Sequence, residues 1–244
     1  MSLIPRIYFP KTCELNATYA LDEDNAAHLL RVLRLNENAS IKVFNGMGKE
    51  FTAVLTSVQK KSADFIVQSC TRDEPEPELK LHLGQVISKG ERMDFTIQKA
   101  TELGVAEITP LFSERCEVRL NNERMDKKIE HWQAVAVSAC QQSGRIYVPV
   151  IHEPVHFSQW CNSVQADLRL VLHPHQQQPL ATRATPKSIA LLIGPEGGFS
   201  ELEITQAMQQ GFTGLQLGPR ILRTETAALA ALSVLQYQWG DLGS

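Results

Sequence analysis

Three successive segments of the chain place glycine and proline at the points where apolar runs end. They are Leu172-His173-Pro174, Ile193-Gly194-Pro195-Glu196-Gly197-Gly198 and Leu217-Gly218-Pro219-Arg220. Proline fixes φ and removes an amide donor, whereas an adjacent glycine lets the backbone bend and approach a ligand closely. A single such segment also fits a tight turn between a strand and a helix. Three in succession predict a pocket lined by backbone amides and carbonyls, a surface suited to adenine and ribose.

A second unusual segment, Pro219–Ala227, places charged side chains beside the start of an almost wholly apolar helix. Thr224 or Thr226 is a candidate N-cap, and the free amides of such a helix start are electropositive. Arg223 and Glu225 could simply form an ion pair there. Alternatively, they contact a ligand or an acceptor. The apolar circumference of the helix predicts packing in a core or against a second subunit.

Two common nucleotide-binding motifs are absent. The turn that begins at Gly194 does not read G-x-G-x-x-G, and no G-K-[ST] follows it, which disfavours a nicotinamide enzyme and a P-loop. Ser200 and Glu203 have the S-x-x-E spacing of a capping box, so we interpret Ser200 as a helix cap rather than a nucleophile.

The elements that must position these residues alternate between strand and helix. Apolar runs predict strands at Leu81–Ile87, Glu107–Phe112, Arg169–Leu172, Ile189–Ile193 and Gly214–Leu217. Helical spacing predicts helices at Glu91–Leu103, Met125–Gln142, Phe157–Val164, Glu201–Gln210 and Thr226–Trp239. This alternation predicts an α/β fold with a mostly parallel sheet, and ligands of such sheets bind at the carboxyl ends of the strands.

The first part of the chain has a different pattern. One helix is predicted at Asp22–Leu35, and strands at Ile41–Phe44 and Phe51–Val58 flank the hairpin signal Asn45-Gly46-Met47-Gly48, with a third strand at Ala63–Ser69. This pattern is typical of a small barrel, some of which bind RNA. Alternating proline and glutamate in Arg72–Glu78 predicts a stiff linker. We therefore expect two domains, 1–72 and 73–244.

Composition excludes several classes of protein. With 43% hydrophobic and 21% charged residues and no apolar run long enough for a bilayer, the chain is predicted to be a cytoplasmic protein without membrane contact. Five scattered cysteines without C-x-x-C spacing predict reduced thiols and no metal site. The net charge of −3 argues against a general polyanion binder. Residues 1–72, however, hold nine basic against seven acidic side chains, which permits local contact with nucleic acid.

Five segments together carry a resemblance to a known family. They are H-L-L-R-V-L-R-L (28–35), F-T-I-Q-K-A-T-E-L-G-V (95–105), P-L-F-S-E-R-C (110–116), L-I-G-P-E-G-G-F-S (192–200) and L-G-P-R-I-L-R-T-E-T-A (217–227). In this order they resemble the RsmE family, the small-subunit ribosomal RNA uridine N3-methyltransferases of the SPOUT superfamily. The resemblance implies an N-terminal PUA-like β-barrel that binds RNA and a C-terminal SPOUT α/β domain with a trefoil knot. It also implies a homodimer with donor pockets near the interface.

The resemblance further implies the reaction and its site. The methyl donor would be S-adenosylmethionine, and the acceptor N3 of a uridine in 16S ribosomal RNA, free or within the small ribosomal subunit. The implied donor-binding residues are Leu172, His173, Pro174, Ile193, Gly194, Pro195, Glu196, Gly198, Leu217, Gly218, Ile221, Leu222, Arg223, Thr224, Thr226 and Ala227. The implied RNA face contains Arg6, His28, Arg31 and Arg34, of which Arg31 and Arg34 would share one face of the predicted helix.

Methyl transfer from a sulfonium needs no metal, but the uridine N3 must lose a proton. The carboxylates nearest the predicted pocket are Glu196 and Glu225, and we favour Glu225 for handling this proton. Arg223 would steady negative charge on the base or hold a phosphate. Three central arginines are further candidates for contact with the acceptor RNA, namely Arg119, Arg124 and Arg145.

Two alternative functions remain open at this point. One is a related methyltransferase acting on another RNA such as tRNA, and the other is a non-catalytic RNA-binding protein.

Overall fold

The computed structural model describes residues 4–59, 61–118, 122–173 and 185–243, and the side chains of residues 122–124 are not described. Three predicted site residues are affected. Pro174 and Arg119 lie outside the described residues, as does the side chain of Arg124. The chain divides into two compact units. The first contains residues up to Glu76 together with Cys140–Val148, and the second contains Pro77–Ala139 and the residues from Pro149 onward.

The first unit is built on a five-stranded sheet with the order β1-β3-β4-β5-β2. Its strands are β1 (Arg6–Tyr8), β2 (Thr18–Ala20), β3 (Ser40–Phe44), β4 (Lys49–Val58) and β5 (Ala63–Asp73). β1 and β3 are parallel and the other neighbours antiparallel. Ile7, Val43, Leu55 and Phe65 are fully buried in its core.

The predicted hairpin between β3 and β4 is confirmed. Gly46 and Gly48 have φ values of +78° and +96°, the left-handed region that favours glycine. A Cβ at Gly48 would meet the backbone oxygen of Glu74 at 2.5 Å, so this turn also needs glycine for space. The predicted linker begins later than expected, because Arg72 and Asp73 still belong to β5 and pair with β4.

The single helix predicted at Asp22–Leu35 is wrong in its second half. Asp22 caps α1 (Glu23–Ala27) as expected, since its side chain accepts a hydrogen bond from the amide of Asn25. A π-helical turn then follows at His28–Val32, closed by a bond from the Leu33 amide to the His28 carbonyl. Arg34 lies beyond this turn with a φ of +54°, which ends any helix. Arg31 and Arg34 therefore do not share an α-helical face.

The second unit contains a seven-stranded sheet with the order β12-β10-β11-β6-β7-β8, and β9 also pairs with β7. Its strands are β6 (Lys80–Val86), β7 (Glu107–Phe112), β8 (Val150–Ile151), β9 (Val155–His156), β10 (Leu168–Leu172), β11 (Ser188–Ile193) and β12 (Thr213–Leu215). Every described pairing in this sheet is parallel, as predicted. β12 ends two residues before its predicted end, which leaves Leu217 in the following loop.

Five helices pack on this sheet among the described residues. They are α2 (Arg92–Glu102), α3 (Asn122–Ser143), α4 (Phe157–Ser163), α5 (Glu201–Gln209) and α6 (Thr224–Trp239). Leu83 and Leu191 of the sheet are fully buried with Ile97 of α2 and Leu232 of α6. The described helices include none with both the length and the apolarity needed to cross a bilayer. The sheet thus directs the carboxyl ends of β6, β10, β11 and β12 to one edge.

Candidate functional site

A pocket of about 980 Å³ lies at the carboxyl ends of β10, β11 and β12. Its walls are formed by residues 172–173, 193–199 and 215–225, together with Ala227 and Arg92. These stretches follow three parallel strands that are neighbours in the sheet, so the chain brings segments far apart in sequence to one edge. The volume is that of a small-molecule site.

The structure brings most of the predicted donor-site residues together. Those that line the pocket are Leu172, His173, Ile193, Gly194, Pro195, Glu196, Gly198, Leu217, Gly218, Ile221, Leu222, Arg223, Thr224 and Ala227. Thr226 is exposed and lies outside the lining. The lining also includes residues that the sequence did not single out, above all Arg92 and Phe199. Arg92 could have been found, because it follows the end of β6, the strand beside β11.

The loop after β11 is compact because glycine and proline shape its backbone. A Cβ at Gly194 would lie 3.1 Å from the ring of Phe199, so a larger residue would displace that ring. The amide of Gly198 donates to the carbonyl of Pro195 at 2.9 Å, and Gly198 has a φ of +67°. Arg115 donates to the carbonyl of Gly197 at 2.8 Å. The loop therefore presents mostly backbone to the pocket.

A buried chain of hydrogen bonds, which we call the relay, runs through Gln85, Thr224 and Gly194 and connects three elements behind this loop. The hydroxyl of Thr224 donates to the carbonyl of Gly194 at 2.6 Å. The side-chain amide of Gln85 donates to that hydroxyl at 2.9 Å and to the carbonyl of Val86 at 3.0 Å. Gln85 is fully buried, so these bonds form away from water and hold their geometry firmly. The relay fixes the start of α6 against the ends of β6 and β11.

The start of α6 differs from the prediction. Neither Thr224 nor Thr226 caps the helix; the N-cap residue is Arg223, which makes no capping hydrogen bond through its side chain. Thr224 is instead committed to the relay. The first amides of α6 therefore remain available beside the pocket, where they favour an anionic or hydrogen-bond-accepting group. Arg223 and Glu225 are both described, and no ion pair joins them.

The two carboxylates of the pocket have different surroundings. Glu196 pairs with Arg92 at 2.7 Å, and both side chains are about 40% exposed, so solvent screens this pair. Glu225 is half-buried, and its Oε2 is shielded from water with no hydrogen-bond partner in the described part of the chain. A buried carboxylate oxygen without a partner is costly unless a ligand pairs with it. Of the two pocket carboxylates, Glu225 is therefore the one with a shielded oxygen that is not engaged by the described chain.

Ser200 has the structural role that the sequence predicts. Its hydroxyl accepts from the amide of Glu203 at 3.3 Å, and the carboxylate of Glu203 accepts from the amide of Ser200 at 2.9 Å. This reciprocal arrangement is a capping box. The second oxygen of Glu203 accepts from the amide of Glu114 at 2.9 Å, which connects α5 to the segment after β7.

Arg6 serves the packing of the first unit. Its guanidinium donates to Glu50 at 2.7 Å and to the carbonyls of Cys140 and Gln141 at 2.6 and 3.1 Å. It also stacks on the ring of Phe44 at 4.5 Å, and only 12% of the side chain is exposed. Arg6 therefore stabilises the first unit, and its guanidinium is engaged by these contacts.

The remaining described RNA candidates lie in the same unit. His28, Arg31 and Arg34 are exposed around the π-helical turn. Arg145 is half-buried, and its carbonyl accepts a hydrogen bond from Arg6. We refer to these three exposed residues in and just after the π-helical turn (His28, Arg31 and Arg34) as the basic turn.

Comparison with known proteins identifies the family. A family model for an RNA methyltransferase domain matches residues 74–236, and one for an RNA methyltransferase PUA domain matches residues 21–68. The chain is 38% identical to ribosomal RNA small subunit methyltransferase E of Buchnera aphidicola over 98% of this chain and 95% of that protein. A crystal structure of the Neisseria gonorrhoeae protein of that name bound to S-adenosylmethionine is 39% identical, with a TM-score of 0.91 over 98% of this chain and all of that one.

A second solved structure, of a Legionella pneumophila protein in complex with S-adenosylmethionine, is 43% identical with a TM-score of 0.94, again over 98% of this chain and 100% of that one. Both domains of the family are thus matched in the same order and over nearly the full length. The chain belongs to the RNA methyltransferase family of ribosomal RNA small subunit methyltransferase E.

Proposed function

We propose that this protein is an S-adenosylmethionine-dependent methyltransferase that modifies N3 of a uridine in small-subunit ribosomal RNA. The observation that carries the proposal is the backbone-lined pocket at the ends of β10, β11 and β12. It is formed by the segments 192–200 and 217–227 that resemble the family most specifically. Two solved structures that are 43% and 39% identical to this chain contain bound S-adenosylmethionine. The choice of uridine N3 rests on the family resemblance.

The pocket has features that fit this donor. Its loops offer backbone amides and carbonyls to the adenine and ribose, and the free amides at the start of α6 suit a carboxylate. Oε2 of Glu225, a lining residue of the pocket, is a buried acceptor without a partner in the described chain, which suits a cationic group or the acceptor's proton. The residues proposed to hold the donor are those predicted ones that line the pocket.

The bound donor supplies an activated methyl group on a good leaving group. The task of the chain is then to align the acceptor nitrogen and to receive its proton. Glu225 is the proposed proton acceptor, through Oε2, because Glu196 is already engaged by Arg92. Arg223 is exposed at the pocket mouth, where its positive charge offsets the negative charge that develops on the base. No step of this proposal requires a metal.

Recognition of RNA is proposed to involve the first unit. The basic turn offers three exposed side chains, and contacts of this kind are electrostatic and sensitive to salt. Single-stranded or looped RNA fits the reaction best, because its bases can be splayed out into a pocket. A small-subunit ribosomal RNA substrate is found in the cytoplasm, which is where we propose that the enzyme acts.

We further propose a homodimer with donor pockets near its interface, and a trefoil knot in the second unit, as the family resemblance implies. The surface of α6 supports the dimer. Ala228, Leu232 and Leu235 are buried in the core, but Val234 and Tyr237 are 41% and 71% exposed. An exposed apolar helix side near the functional pocket is typical of a subunit contact.

The most direct test of function is methyl transfer from labelled S-adenosylmethionine. Small ribosomal subunits and deproteinised 16S ribosomal RNA from cells that lack this protein serve as acceptors, with total tRNA as a third arm. We expect label in small-subunit RNA and mapping of the modified nucleotide to a single uridine N3. Label in tRNA alone would identify a methyltransferase of another RNA. Donor binding absent in calorimetry would identify a non-catalytic RNA-binding protein.

A further inference from the structure

A second group of chemically active side chains lies in the second unit, away from the donor pocket. It consists of His82 near the start of β6, Glu107 at the start of β7 and His152 just after β8. β6 and β7 are parallel neighbours, so His82 and Glu107 lie at the amino-terminal edge of the sheet, opposite to the pocket. β8 pairs with the first two residues of β7, which places His152 beside the same edge. The proposed methyl transfer makes no use of these residues.

The three side chains direct one potential ligand atom each toward a common point. Nε2 of His152 lies 2.7 Å from Oε2 of Glu107, and Nδ1 of His82 lies 3.8 Å from the same oxygen. All three ligand atoms lie within 4.8 Å of one another. In a tetrahedral zinc site with bonds of about 2.0–2.2 Å, neighbouring ligand atoms are about 3.3 Å apart. The observed separations bracket that spacing, so small side-chain movements suffice to receive an ion.

We propose that His82, Glu107 and His152 form a binding site for one divalent transition-metal ion of the Zn²⁺ class, which ties β6, β7 and β8 together. Two imidazole nitrogens and one carboxylate oxygen suit Zn²⁺, Co²⁺ and Ni²⁺ and disfavour Ca²⁺ or Mg²⁺, which require mainly oxygen ligands. The side chains of Glu107 and His152 are about 40% exposed, which gives the ion an entry path and leaves a position for water as a fourth ligand.

The surroundings of His82 orient it for this role. Its Nε2 lies 2.7 Å from the hydroxyl of Thr109 and accepts a long hydrogen bond of 3.4 Å from Nε1 of Trp160. When Nδ1 binds the metal, Nε2 carries the proton and donates it to Thr109 in place of accepting from Trp160. Trp160 packs edge-on against the imidazole, with ring centroids 5.3 Å apart and an interplanar angle of 87°. Packing and hydrogen bonding thus hold the ring with Nδ1 toward Glu107, an arrangement that is common around metal-ligating histidines.

The sequence predicts no metal site, because the three residues are 25 and 45 positions apart and form no recognised motif. In the parts of the chain that the structure describes, no other trio of histidine, cysteine and acidic residues converges this closely. His131 and Asp94 provide a useful contrast. They also form an imidazole–carboxylate pair at 2.7 Å, but they belong to no such trio.

The experiment uses the full chain, stripped with a chelator and titrated with Zn²⁺ by calorimetry and with Co²⁺ by visible absorption. We expect one ion per chain, ligand-field bands of four-coordinate Co²⁺, and a thermal midpoint raised by about 5 °C at a hundredfold excess of free Zn²⁺ over its Kd. His152→Gln and Glu107→Gln should each weaken binding by about tenfold or more, because each removes one of three protein ligands.

The matched control is His131→Gln, which removes an exposed imidazole of the isolated pair and should leave the Zn²⁺ affinity unchanged. If the chain binds no ion, or if the affinity is equal in the wild type, His152→Gln and Glu107→Gln, the proposal is overturned. Glu107→Gln keeps the size and much of the hydrogen bonding of the side chain, so loss of metal binding in a variant that still folds separates ligation from stability. Donor binding, measured in parallel, should be the same in all variants, which keeps this test independent of the proposed methyltransferase activity.

Discussion

Thr224 is the residue on which the shape of the donor pocket depends most directly. Its single hydroxyl donates to Gly194 and accepts from Gln85, so it joins the start of α6 to the ends of two strands. No local signal distinguishes Thr224 from Thr226, since both stand at a helix start and both are plausible caps. Only the packing of α6 against β6 and β11 directs one of them inward.

We expect Thr224→Val to weaken the binding of S-adenosylmethionine by about tenfold, equivalent to about 1.4 kcal/mol. The substitution keeps the shape of the side chain but leaves the Gly194 carbonyl and the Gln85 amide without their partner in a buried place. Calorimetric titration measures the effect. Thr226→Val, which changes an exposed neighbour, is the control and should bind the donor normally. Equal affinities in the two variants would contradict a role for the relay.

Glu225 is the second residue with a specific expectation. Because glutamine cannot accept the proton, we expect Glu225→Gln to lower the methyl-transfer rate by about 10²–10⁴-fold while donor affinity changes little. Single-turnover transfer to small-subunit RNA and calorimetry separate the two effects. Glu196→Gln, which removes the other pocket carboxylate together with its exposed ion pair, should cost less than tenfold in rate. An unchanged rate in Glu225→Gln would remove this residue from the mechanism.

Among the elements, the sheet of the first unit depends on an ionic cluster across three adjacent strands. Glu50 of β4 is almost fully buried and accepts hydrogen bonds from Arg6 of β1 at 2.7 Å and from Lys42 of β3 at 3.1 Å. Burial alone would raise the pKa of Glu50, but the bonds from Arg6 and Lys42 outweigh it and hold this pKa below its ordinary value. The cluster is a tertiary feature, since its members come from distant parts of the chain.

We expect Glu50→Gln to destabilise the first unit by about 3 kcal/mol, because it leaves the buried Arg6 guanidinium without its counter-charge. Asp73→Asn, which breaks the exposed pair with Lys49, is the control and should cost less than about 1 kcal/mol. Urea unfolding followed by circular dichroism measures both. Equal losses in the two variants would show that the buried cluster contributes no more than a surface pair.

Glu50→Gln should also change how the free energy of unfolding depends on pH. Since the folded pKa of Glu50 lies below the unfolded one, its ionic contribution is fully present above about pH 4.3 and is lost as the pH falls through the folded pKa. The stability difference between the wild type and Glu50→Gln should therefore be constant from neutral pH down to about 5 and shrink below about 4. A difference that grows on acidification would have the wrong sign.

At the scale of the whole molecule, α6 contributes both to the pocket proposed for the donor and to the surface proposed for the dimer. Its first turn lines the pocket, and its exposed apolar residues Val234 and Tyr237 lie two and three turns further on. We expect the wild type to sediment as a dimer. Tyr237→Glu should raise the dissociation constant of that dimer at least about tenfold, because the glutamate carboxylate would have to lose its water in the interface. Leu15→Glu, which changes an exposed leucine of the first unit, is the control and should leave the dimer intact. A monomeric wild type would contradict the proposal.

Much of the second unit could be predicted from the sequence. Its strand and helix order, the parallel sheet and the two principal pocket loops follow from apolar periodicity and from glycine and proline at strand ends.

The interruption of the helix in the first unit could not be predicted in this way. The turn at His28–Val32 contains no proline or glycine to interrupt a helix, and the i→i+5 bond from the Leu33 amide to the His28 carbonyl is visible only in the structure, where Leu29 of the turn is fully buried.

The sequence by itself thus determined the strand and helix order of the second unit, the family and the segments that line the pocket proposed for the donor, because these depend on local propensity and on short motifs. The tertiary structure alone decided that Thr224 faces inward and that Glu225 has an oxygen without a partner in the described chain. It also decided that Arg6 supports the fold and that two histidines and a glutamate meet at the opposite edge of the sheet. Each of these depends on strands that are adjacent in space but distant in sequence, and no local pattern encodes that adjacency.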